Sequence, residues 1–423
     1  MKTLLTSVRP YGEGKPQNVL IEDGIIEYIG PDAKEADETF DSNNSVLLPG
    51  MVDLSANLGE PGTEYAEDLN SASEAAARGG ITAVFAQPNT TPVLDDPSLV
   101  EGVTLKSRAI GLCDIIPVPS ITKGRKGEEL TEFGLLKDSL SQCGVFSEGK
   151  KSVASSVIMR RAMEYAHGTD VLISEFCQEP TLADDAHAHE GFYAGNAGIR
   201  GIPRSAEEIV ASRDALLSRE FGARVHLSTI SSKGTVEIVK NAKDEGTKIS
   251  ASVAIANLVF NDSTIQGYDS VYKVMPPLRD SSDQDALNDA LLNGVIDCVV
   301  SDHTPVPQEL KLIEFNRAEP GMIGLETTLP LLAEIFVESG SADWRFIAKV
   351  FSENPAQIAG LHEHGRKIEV GSPANLTLVS EDSPWTFDAE GTKSKSINSP
   401  FLGKEFKSKV TMTMLRGKVT YEA

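Results

Sequence analysis

The sequence predicts an α/β fold, namely a (β/α)8 TIM barrel with a small β-sandwich domain built from both termini. The middle of the chain alternates short apolar runs with amphipathic segments, whereas both ends consist of alternating runs separated by turn residues. Strand–helix units of this length indicate a parallel sheet covered by helices, and about eight of them suit a closed barrel. We therefore expect a sandwich domain from residues 1–50 and 365–423 and a barrel from residues 51–364.

The two ends of the chain carry hairpin signals. Residues 18–30, NVLIEDGIIEYIG, are two apolar runs around the turn EDG. Residues 374–380 alternate between apolar and polar side chains, and residues 409–423 form two alternating runs around the turn RG. Alternation with a period of two, interrupted by a short turn containing glycine, is typical of antiparallel strands. We therefore expect both ends to contribute strands to the sandwich domain.

The middle of the chain supplies the strands and helices of the barrel. The apolar runs that predict strands are ITAVFAQP, CDIIPVPS, DVLISEF, RVHLSTIS, KISASVAI and IDCVVSDHTP. The segments between them with apolar residues at helical spacing include LNSASEAAARGG, SSVIMRRAMEYAHG, SAEEIVASRDALLSREFG and KGTVEIVKNAKDEG. Each of these segments ends in glycine, which adopts the left-handed conformation at a helix C-terminus without strain.

The composition disfavours several classes of partner. The 39 Lys and Arg residues against 62 Asp and Glu residues give a net charge of −23, which repels phosphate backbones and anionic lipids. We therefore expect no nucleic acid and no membrane as partner. No apolar run approaches the roughly 20 residues of a membrane span, and the N-terminus lacks the apolar core of a signal peptide. The widely spaced Cys113, Cys143, Cys177 and Cys298 favour buried thiols in a cytoplasmic protein over a disulfide framework.

A series of segments in a fixed order carries a resemblance to a known family. They are LLPGMVDL, EPGTEYAEDLNSASEAAARGGIT, QPNTTPVLDDP, MRRAMEYA, RGIPRSAEEIVASRDALL, YKVMPPLRD, SDHTP, GMIGLETTLPLL, NPAQIAGL and NSPFLGKEF. In these segments the chain resembles the dihydroorotases of the cyclic amidohydrolase superfamily over nearly its full length. The resemblance implies a barrel flanked by a sandwich, and hydrolysis or formation of the ring amide of dihydroorotate in pyrimidine biosynthesis. In that family a zinc-bound hydroxide attacks the carbonyl, because an amide needs a Lewis acid to become reactive.

The resemblance fails at the positions that bind metal and substrate. The family has histidines, an arginine that grips the substrate carboxylate, an aspartate and an asparagine at positions that here hold Ser55, Asn57, Gly59, Glu148, Phe176, Thr229, Ala256, Asn257, Met275 and Val306. Two family residues remain, namely Asp302 as the last strand's carboxylate and Asn89 as a substrate-binding residue. A phenylalanine cannot coordinate a metal, and the neutral oxygens of Ser, Thr and Asn hold Zn²⁺ weakly. We therefore expect no cofactor.

The histidines of the chain do not predict a replacement site. His187-Ala188-His189 has the spacing of a metal motif but lies in the acidic loop TLADDAHAHEGFYAGN, where we expect solvated side chains rather than a relocated metal. We expect His303 to be packed and hydrogen-bonded. We also expect Asp302 to be hydrogen-bonded to neighbours such as Ser55 or Thr229 rather than to act as a general base.

Three functions remain open, of which we favour the first. It is a catalytically inactive structural or regulatory partner of aspartate carbamoyltransferase that also associates with copies of itself, using loops such as SEGKKS for contacts. The resemblance to dihydroorotase-like chains without metal ligands implies this role. The second is an active dihydroorotase, or a hydrolase of another cyclic amide, with a rebuilt or metal-free site. The third is a small-molecule binding module in which Ser55, Asn57, Thr229 and Asn257 line the barrel mouth as neutral hydrogen-bonding groups.

Overall fold

Five strands at the N-terminus begin a mixed sheet. A computed structural model describes all of residues 1–423. The strands are β1 Lys2–Pro10, β2 Gln17–Glu22, β3 Ile25–Gly30, β4 Glu38–Asp41 and β5 Val46–Pro49. β1, β2 and β3 are antiparallel, whereas β4 and β5 lie parallel to β1. β1 changes its neighbours at a bulge between Leu5 and Val8, and such a bulge bends the sheet.

Eight parallel strands form the barrel. The first five are β6 Met51–Ala56, β7 Ile81–Ala86, β8 Asp114–Pro117, β9 Val145–Ser147 and β10 Leu172–Phe176. The short parallel pair β11 Ala188–His189 and β12 Gly201–Ile202 lies outside the barrel, and the last three barrel strands are β13 Arg224–Ser228, β14 Ile249–Ala254 and β15 Cys298–Val300. Backbone bridges from Ser120 to Ser147 and from Ala56 to His303 join the two ladders β6–β8 and β9–β15 into a ring.

Helices follow most barrel strands and cover the outside of the barrel. They are α1 Leu69–Arg78, α2 Pro97–Ile110, α3 Phe133–Lys137, α4 Ser156–Thr169, α5 Phe192–Ala197, α6 Arg204–Phe221, α7 Lys233–Asp244, α8 Ile255–Val259, α9 Ser281–Leu292, α10 Gln308–Lys311, α11 Thr328–Leu332, α12 Trp344–Ala348 and α13 Asn354–Ala359. Short 3-10 segments span Lys123–Arg125, Asp262–Gly267 and Ser270–Tyr272, and π-helical segments Ala333–Glu338 and Lys349–Glu353 continue α11 and α12. No helix combines the length and the apolar character that crossing a membrane requires.

Strands from the C-terminus complete the sheet that the N-terminus begins. They are β16 Leu376–Ser380, the separate pair β17 Trp385–Thr386 and β18 Glu405–Phe406, then β19 Lys409–Leu415 and β20 Lys418–Glu422. The eight-stranded sheet runs β20-β19-β16-β5-β1-β2-β3, with β4 beside β1. Its two halves share one apolar cluster that includes Leu5, Ile26, Leu376 and Met414. The predicted sandwich from both termini and the predicted (β/α)8 barrel are therefore confirmed.

The interior of the barrel is filled with side chains. Small and branched residues of its strands form a buried cluster that includes Val52, Ala83, Val145, Leu172 and Val300. Such layers are typical of a barrel that acts as a rigid scaffold, so ligands have room only at its ends. All four cysteines are buried, as the sequence predicts.

Candidate functional site

A cavity opens where the carboxyl ends of the barrel strands meet. It has a volume of about 450 Å³. The loops after all eight strands converge at this end, which is where (β/α)8 proteins bind their ligands. Six of the residues that the sequence singles out line the cavity, namely Asn57, Gly59, Asn89, Met275, Asp302 and Val306. This cavity is therefore the candidate site, and we refer to it as the mouth.

A lysine that the sequence analysis did not single out lies in the mouth. The ammonium group of Lys150, in the loop after β9, donates a hydrogen bond to Asp302 Oδ1 and forms an ion pair with it. The same nitrogen lies 3.5 Å from Thr229 Oγ1 and 5.3 Å from the ring centroid of Phe176. These three neighbours stand at positions where the family resemblance implies two histidines and the retained carboxylate. The protein's own cation therefore lies among the positions expected to surround a metal.

Lys150 also corrects two predictions. The loop SEGKKS is not simply a surface connector, because its lysine points into the mouth. The hydrogen-bond partner of the Asp302 side chain is Lys150, so the predicted bonds to Ser55 or Thr229 were wrong. Burial raises the pKa of Asp302, and the charge of Lys150 partly offsets that rise. The Asp302 carboxylate is thus paired with an ammonium group and is not free to act as a general base on water.

Asn57 lines the mouth and is held in place by a hydrogen-bond network. Its Nδ2 donates to Thr304 Oγ1 at 2.8 Å, and that hydroxyl donates its single hydrogen to the carbonyl of Asp302 at 3.0 Å. Since the threonine hydrogen is already used, Thr304 Oγ1 is the acceptor, and this network fixes the orientation of the Asn57 amide. Asn57 Oδ1 is buried and has no hydrogen-bond partner.

Gly59 stands where the family resemblance implies the arginine that grips a substrate carboxylate. Its φ is +70°, in the left-handed region that favours glycine. A Cβ at this position would lie 2.3 Å from the carbonyl oxygen of Glu67 and 2.9 Å from that of Thr63. The backbone of this loop therefore excludes any longer side chain at this position. An arginine would not fit here without a change in the loop.

Several of the other predicted positions point away from the mouth. Glu148 accepts hydrogen bonds from the backbone nitrogen and hydroxyl of Thr122 at 2.6 and 2.9 Å, and burial raises the pKa of its carboxyl group. Asn257 donates to the carbonyl of Pro277 at 3.1 Å. The sequence predicted four neutral residues that line the barrel mouth. Only Asn57 does so, because the other three are buried and do not line the cavity, namely Ser55, Thr229 and Asn257.

His303 is a packed, hydrogen-bonded residue, as predicted. Its Nδ1 accepts from the backbone nitrogen of Gly324 at 3.2 Å, which places the ring proton on Nε2. Nε2 lies 3.3 Å from Glu67 Oε2, so the ring donates to that carboxylate. Both ring nitrogens are engaged, and His303 is not available to a ligand in the mouth.

The loop that carries His187 and His189 contributes His189 to a second polar cluster, which we call the arginine cluster. It consists of His189, Arg204, Glu207, Ser231, Arg279, Asp280 and Asp283. His189 is buried rather than solvated, which corrects the prediction. The ligand atoms of His189, Asp280 and Asp283 lie within 4.8 Å of one another. However, Arg204 Nε donates to both oxygens of Asp283 at 3.1 and 2.9 Å, and the same guanidinium group also pairs with Asp280, so both carboxylates are already engaged by a cation of the protein.

Arg279 completes the arginine cluster. Its guanidinium donates to Ser231 Oγ at 2.9 Å and to the carbonyl of Ile202 at 3.1 Å, and lies 3.3 Å from Glu207 Oε2 and from His189 Nδ1. Burial, together with the charge of Arg279, lowers the pKa of His189 to about 4. His189 is therefore neutral at neutral pH and serves as an acceptor for the arginine.

The residues around Lys150 and Asp302 do not fit a zinc ion. Phe176 offers no donor atom, and Asn57 and Thr229 offer only neutral oxygens. The single carboxylate, Asp302, is paired with Lys150. Zn²⁺ prefers imidazole, thiolate and carboxylate ligands in a tetrahedral arrangement, and an ammonium group among the expected ligands repels a second cation.

Known proteins similar to this chain agree with the predicted fold. The L-hydantoinase (dihydropyrimidinase) from Arthrobacter aurescens has a TM-score of 0.86 and 23% sequence identity, covering 99% of this chain and 96% of its own. The dihydropyrimidinase from Brevibacillus agri has a TM-score of 0.85 and 21% identity, covering 99% and 95%. At these identities the likeness concerns the fold alone.

Sequence relatives identify the family. A family described as "Dihydro-orotase-like" matches residues 44–235. The dihydroorotase of Mycobacterium tuberculosis is 48% identical over 422 residues, which cover 99% of this chain and 98% of the relative. The dihydroorotase of Streptomyces coelicolor is 41% identical over 420 residues, which cover 99% and 98%. These names fit an active enzyme better than an inactive partner, and they describe no partner of aspartate carbamoyltransferase. The chain belongs to the dihydroorotase family of the cyclic amidohydrolase superfamily.

Proposed function

We propose that this chain acts in pyrimidine biosynthesis as a non-hydrolytic member of its family. The observation that carries the proposal is the position of the Lys150 ammonium group, which pairs with Asp302 and lies beside Thr229 and Phe176. Hydrolysis of a ring amide needs a Lewis acid on the carbonyl and an activated water. The mouth holds neither a set of ligands for a Lewis acid nor a free base to activate water.

The role we propose for a chain without hydrolysis is that of a structural or regulatory partner of aspartate carbamoyltransferase, together with self-association. Exposed aromatic residues on one surface support a protein contact. Phe192 is 71% exposed at the start of α5, and Tyr268, 53% exposed, donates its hydroxyl to the carbonyl of Ala197 at the end of the same helix. Exposed aromatic side chains at both ends of one short helix fit an interaction surface.

An active dihydroorotase is the second candidate, and the names of the relatives favour it. A chain 48% identical over 99% of its length to a protein named dihydroorotase shares most of that protein's structure. In this candidate the site is rebuilt or free of metal, and Asp302 is the retained carboxylate. A binding module is the third candidate, and the polar cavity of about 450 Å³ favours it.

One experiment on the purified chain separates the first two candidates. Metal content and turnover of dihydroorotate are measured on the same sample, with zinc added and with zinc chelated. The proposal expects sub-stoichiometric metal and no turnover under either condition. One metal per chain with turnover that the chelator abolishes would establish the second candidate and overturn the proposal.

Co-elution with aspartate carbamoyltransferase tests the partner. The matched variants are Phe192→Ser on the exposed surface and Leu105→Ser, which removes a similarly exposed apolar side chain from α2. A complex that forms with the unmodified chain and with Leu105→Ser, but is weakened by Phe192→Ser, would support the proposed surface. The absence of any complex would remove this partner from the proposal.

A further inference from the structure

A segment between β15 and α11 forms one wall of the mouth. Connections of this length are uncommon in compact domains and often carry function. We call residues 307–321, which include α10, the wall segment. Its residues that line the cavity are Pro307, Leu310, Glu319, Pro320 and Gly321. A movement of this segment therefore changes the size of the mouth.

Two buried lysines hold the wall segment in place. Lys311, within the segment, is 1% exposed, and Lys273, outside it, is 5% exposed. Lys311 Nζ donates to the carbonyls of Lys273 at 2.8 Å and Glu319 at 3.0 Å. Lys273 Nζ donates to the carbonyls of Phe315 at 2.9 Å and Asn316 at 3.1 Å. The wall segment is thus folded around two amino groups.

Neither lysine has a carboxylate as hydrogen-bond partner. The partners of both amino groups are backbone carbonyls, except for His187 Nδ1, which lies 3.3 Å from Lys273 Nζ. A buried ammonium group without a carboxylate is costly, because carbonyl dipoles replace only part of its hydration. A buried lysine avoids this cost by losing its proton. The amine that remains has two hydrogens, which match the two carbonyls that Lys311 contacts.

The charges around Lys311 also favour the loss of a proton. Burial, together with the charge of Lys273, lowers the pKa of Lys311 from its ordinary 10.5 to about 7. The carboxylates of Asp269 and Glu319 act in the opposite direction without cancelling this effect. Burial also lowers the pKa of Lys273. The remaining titratable groups beside Lys273 are His187 and Asp185, whose Nε2 and Oδ1 lie 3.6 Å apart.

We propose that the wall segment is a proton-sensitive closure of the mouth, which loosens when Lys311 binds a proton and tightens when Lys311 releases it. The third hydrogen of a Lys311 ammonium group has no acceptor in the closed segment. In the opened segment the amino group is hydrated and holds its proton up to its ordinary pKa.

The direction of the pH dependence follows from these two states. Above about pH 7 the closed segment binds fewer protons than the opened one, so closure becomes more favourable as pH rises toward 10. Below about pH 7 both states bind the proton, and closure no longer depends on pH through Lys311. The inference does not depend on whether the mouth hydrolyses a ligand.

Hydrogen–deuterium exchange of backbone amides tests the inference. The probes are three hydrogen-bonded amides of the wall segment, namely Leu312, Glu319 and Gly321. After correction for intrinsic exchange rates, their protection should rise about 50-fold between pH 7 and pH 9, as one group with these two pKa values requires. Constant protection over this range would overturn the inference. Protection equal to that of the buried strand β13 would mean that the segment opens only when the whole chain unfolds, and would also overturn it.

Variants assign the effect to Lys311. Lys311→Met removes the titrating group and should reduce the rise to less than about fivefold, whereas Lys240→Met, at an exposed position of α7, should leave it unchanged. An undiminished rise in Lys311→Met would overturn the assignment. If Lys311→Met does not fold, Lys311→Gln, whose amide keeps two hydrogens for the two carbonyls, is measured instead, with the same expectation. Exchange is measured without a ligand, so its failure is distinguishable from a failure of the proposed function in the turnover assay.

Discussion

The mouth and the arginine cluster both contain residue types that bind metals in other proteins. In both places a lysine or arginine of the protein supplies the positive charge that a metal ion would otherwise provide. In the arginine cluster, Arg204 and Arg279 use their guanidinium groups on carboxylates, a hydroxyl and a carbonyl. In the mouth, a single ammonium group leaves a hydrogen free, and the oxygen of Asn57 stays unpaired. The arginine cluster uses its charges within the protein, whereas the mouth keeps an open cavity beside its ion pair.

The largest effect is expected in the arginine cluster. Arg279→Met leaves the carboxylate of Glu207 buried without its cation, since the two side chains are 2% and 4% exposed. Breaking a buried ion pair from one side destabilises a protein by about 3–5 kcal/mol. Urea unfolding measures the change. Arg219→Met, whose pair with Glu245 is 51% and 55% exposed, is the control and should change stability by less than about 1 kcal/mol. Equal effects would contradict the structural role of the cluster.

The next effect is a dependence on pH. The folded chain holds the pKa of His189 at about 4, below its ordinary 6.5, so the unfolded chain binds a proton first as pH falls. Stability from this group is present above pH 6.5 and is lost as pH falls toward 4, by about 3 kcal/mol. His189→Gln should remove this part of the slope in unfolding curves recorded across that range. An unchanged slope would show that His189 is not held neutral.

A smaller effect is expected in the mouth, where the dependence of stability on pH has the opposite sign to that of His189. The pKa of Asp302 is raised in the folded chain, so its ionised form disfavours folding and Lys150 offsets that cost. Lys150→Met should destabilise the protein by about 1–3 kcal/mol at pH 7 and by less at pH 4, because a carboxyl group whose pKa is raised loses its charge more readily as pH falls. Unfolding at the two pH values measures the difference. Lys349→Met, at an exposed position, should have little effect at either pH.

The smallest effect is expected from metal. Neither the mouth nor the arginine cluster has a free set of ligands, so zinc and a chelator should each shift the melting temperature by less than about 1 °C. Differential scanning fluorimetry measures the shift. A rise of several degrees with zinc would mean that one of the two places binds a metal despite its own cation.

The sequence predicted the elements of the fold better than the contacts of the site. The alternation of apolar runs reports which local segments form strands and helices, and it predicted the barrel and the sandwich. Asn57, Asn89 and Asp302 were predicted from motifs and do line the mouth. Lys150 was missed, although the basic pair at the end of FSEGKK, in the loop after β9, is a signal that could have drawn attention to it.

The family, the barrel with its sandwich and the absence of histidines at the expected metal positions can all be read from local patterns and motif residues. The contact between Lys150 and Asp302, which are separated by 152 positions, is seen only in the folded chain. The folded chain also shows that Gly59 leaves no room for a side chain and that His189 is buried among arginines. Closure of the barrel brings distant loops together, and the charges and clashes between them arise only once it has closed.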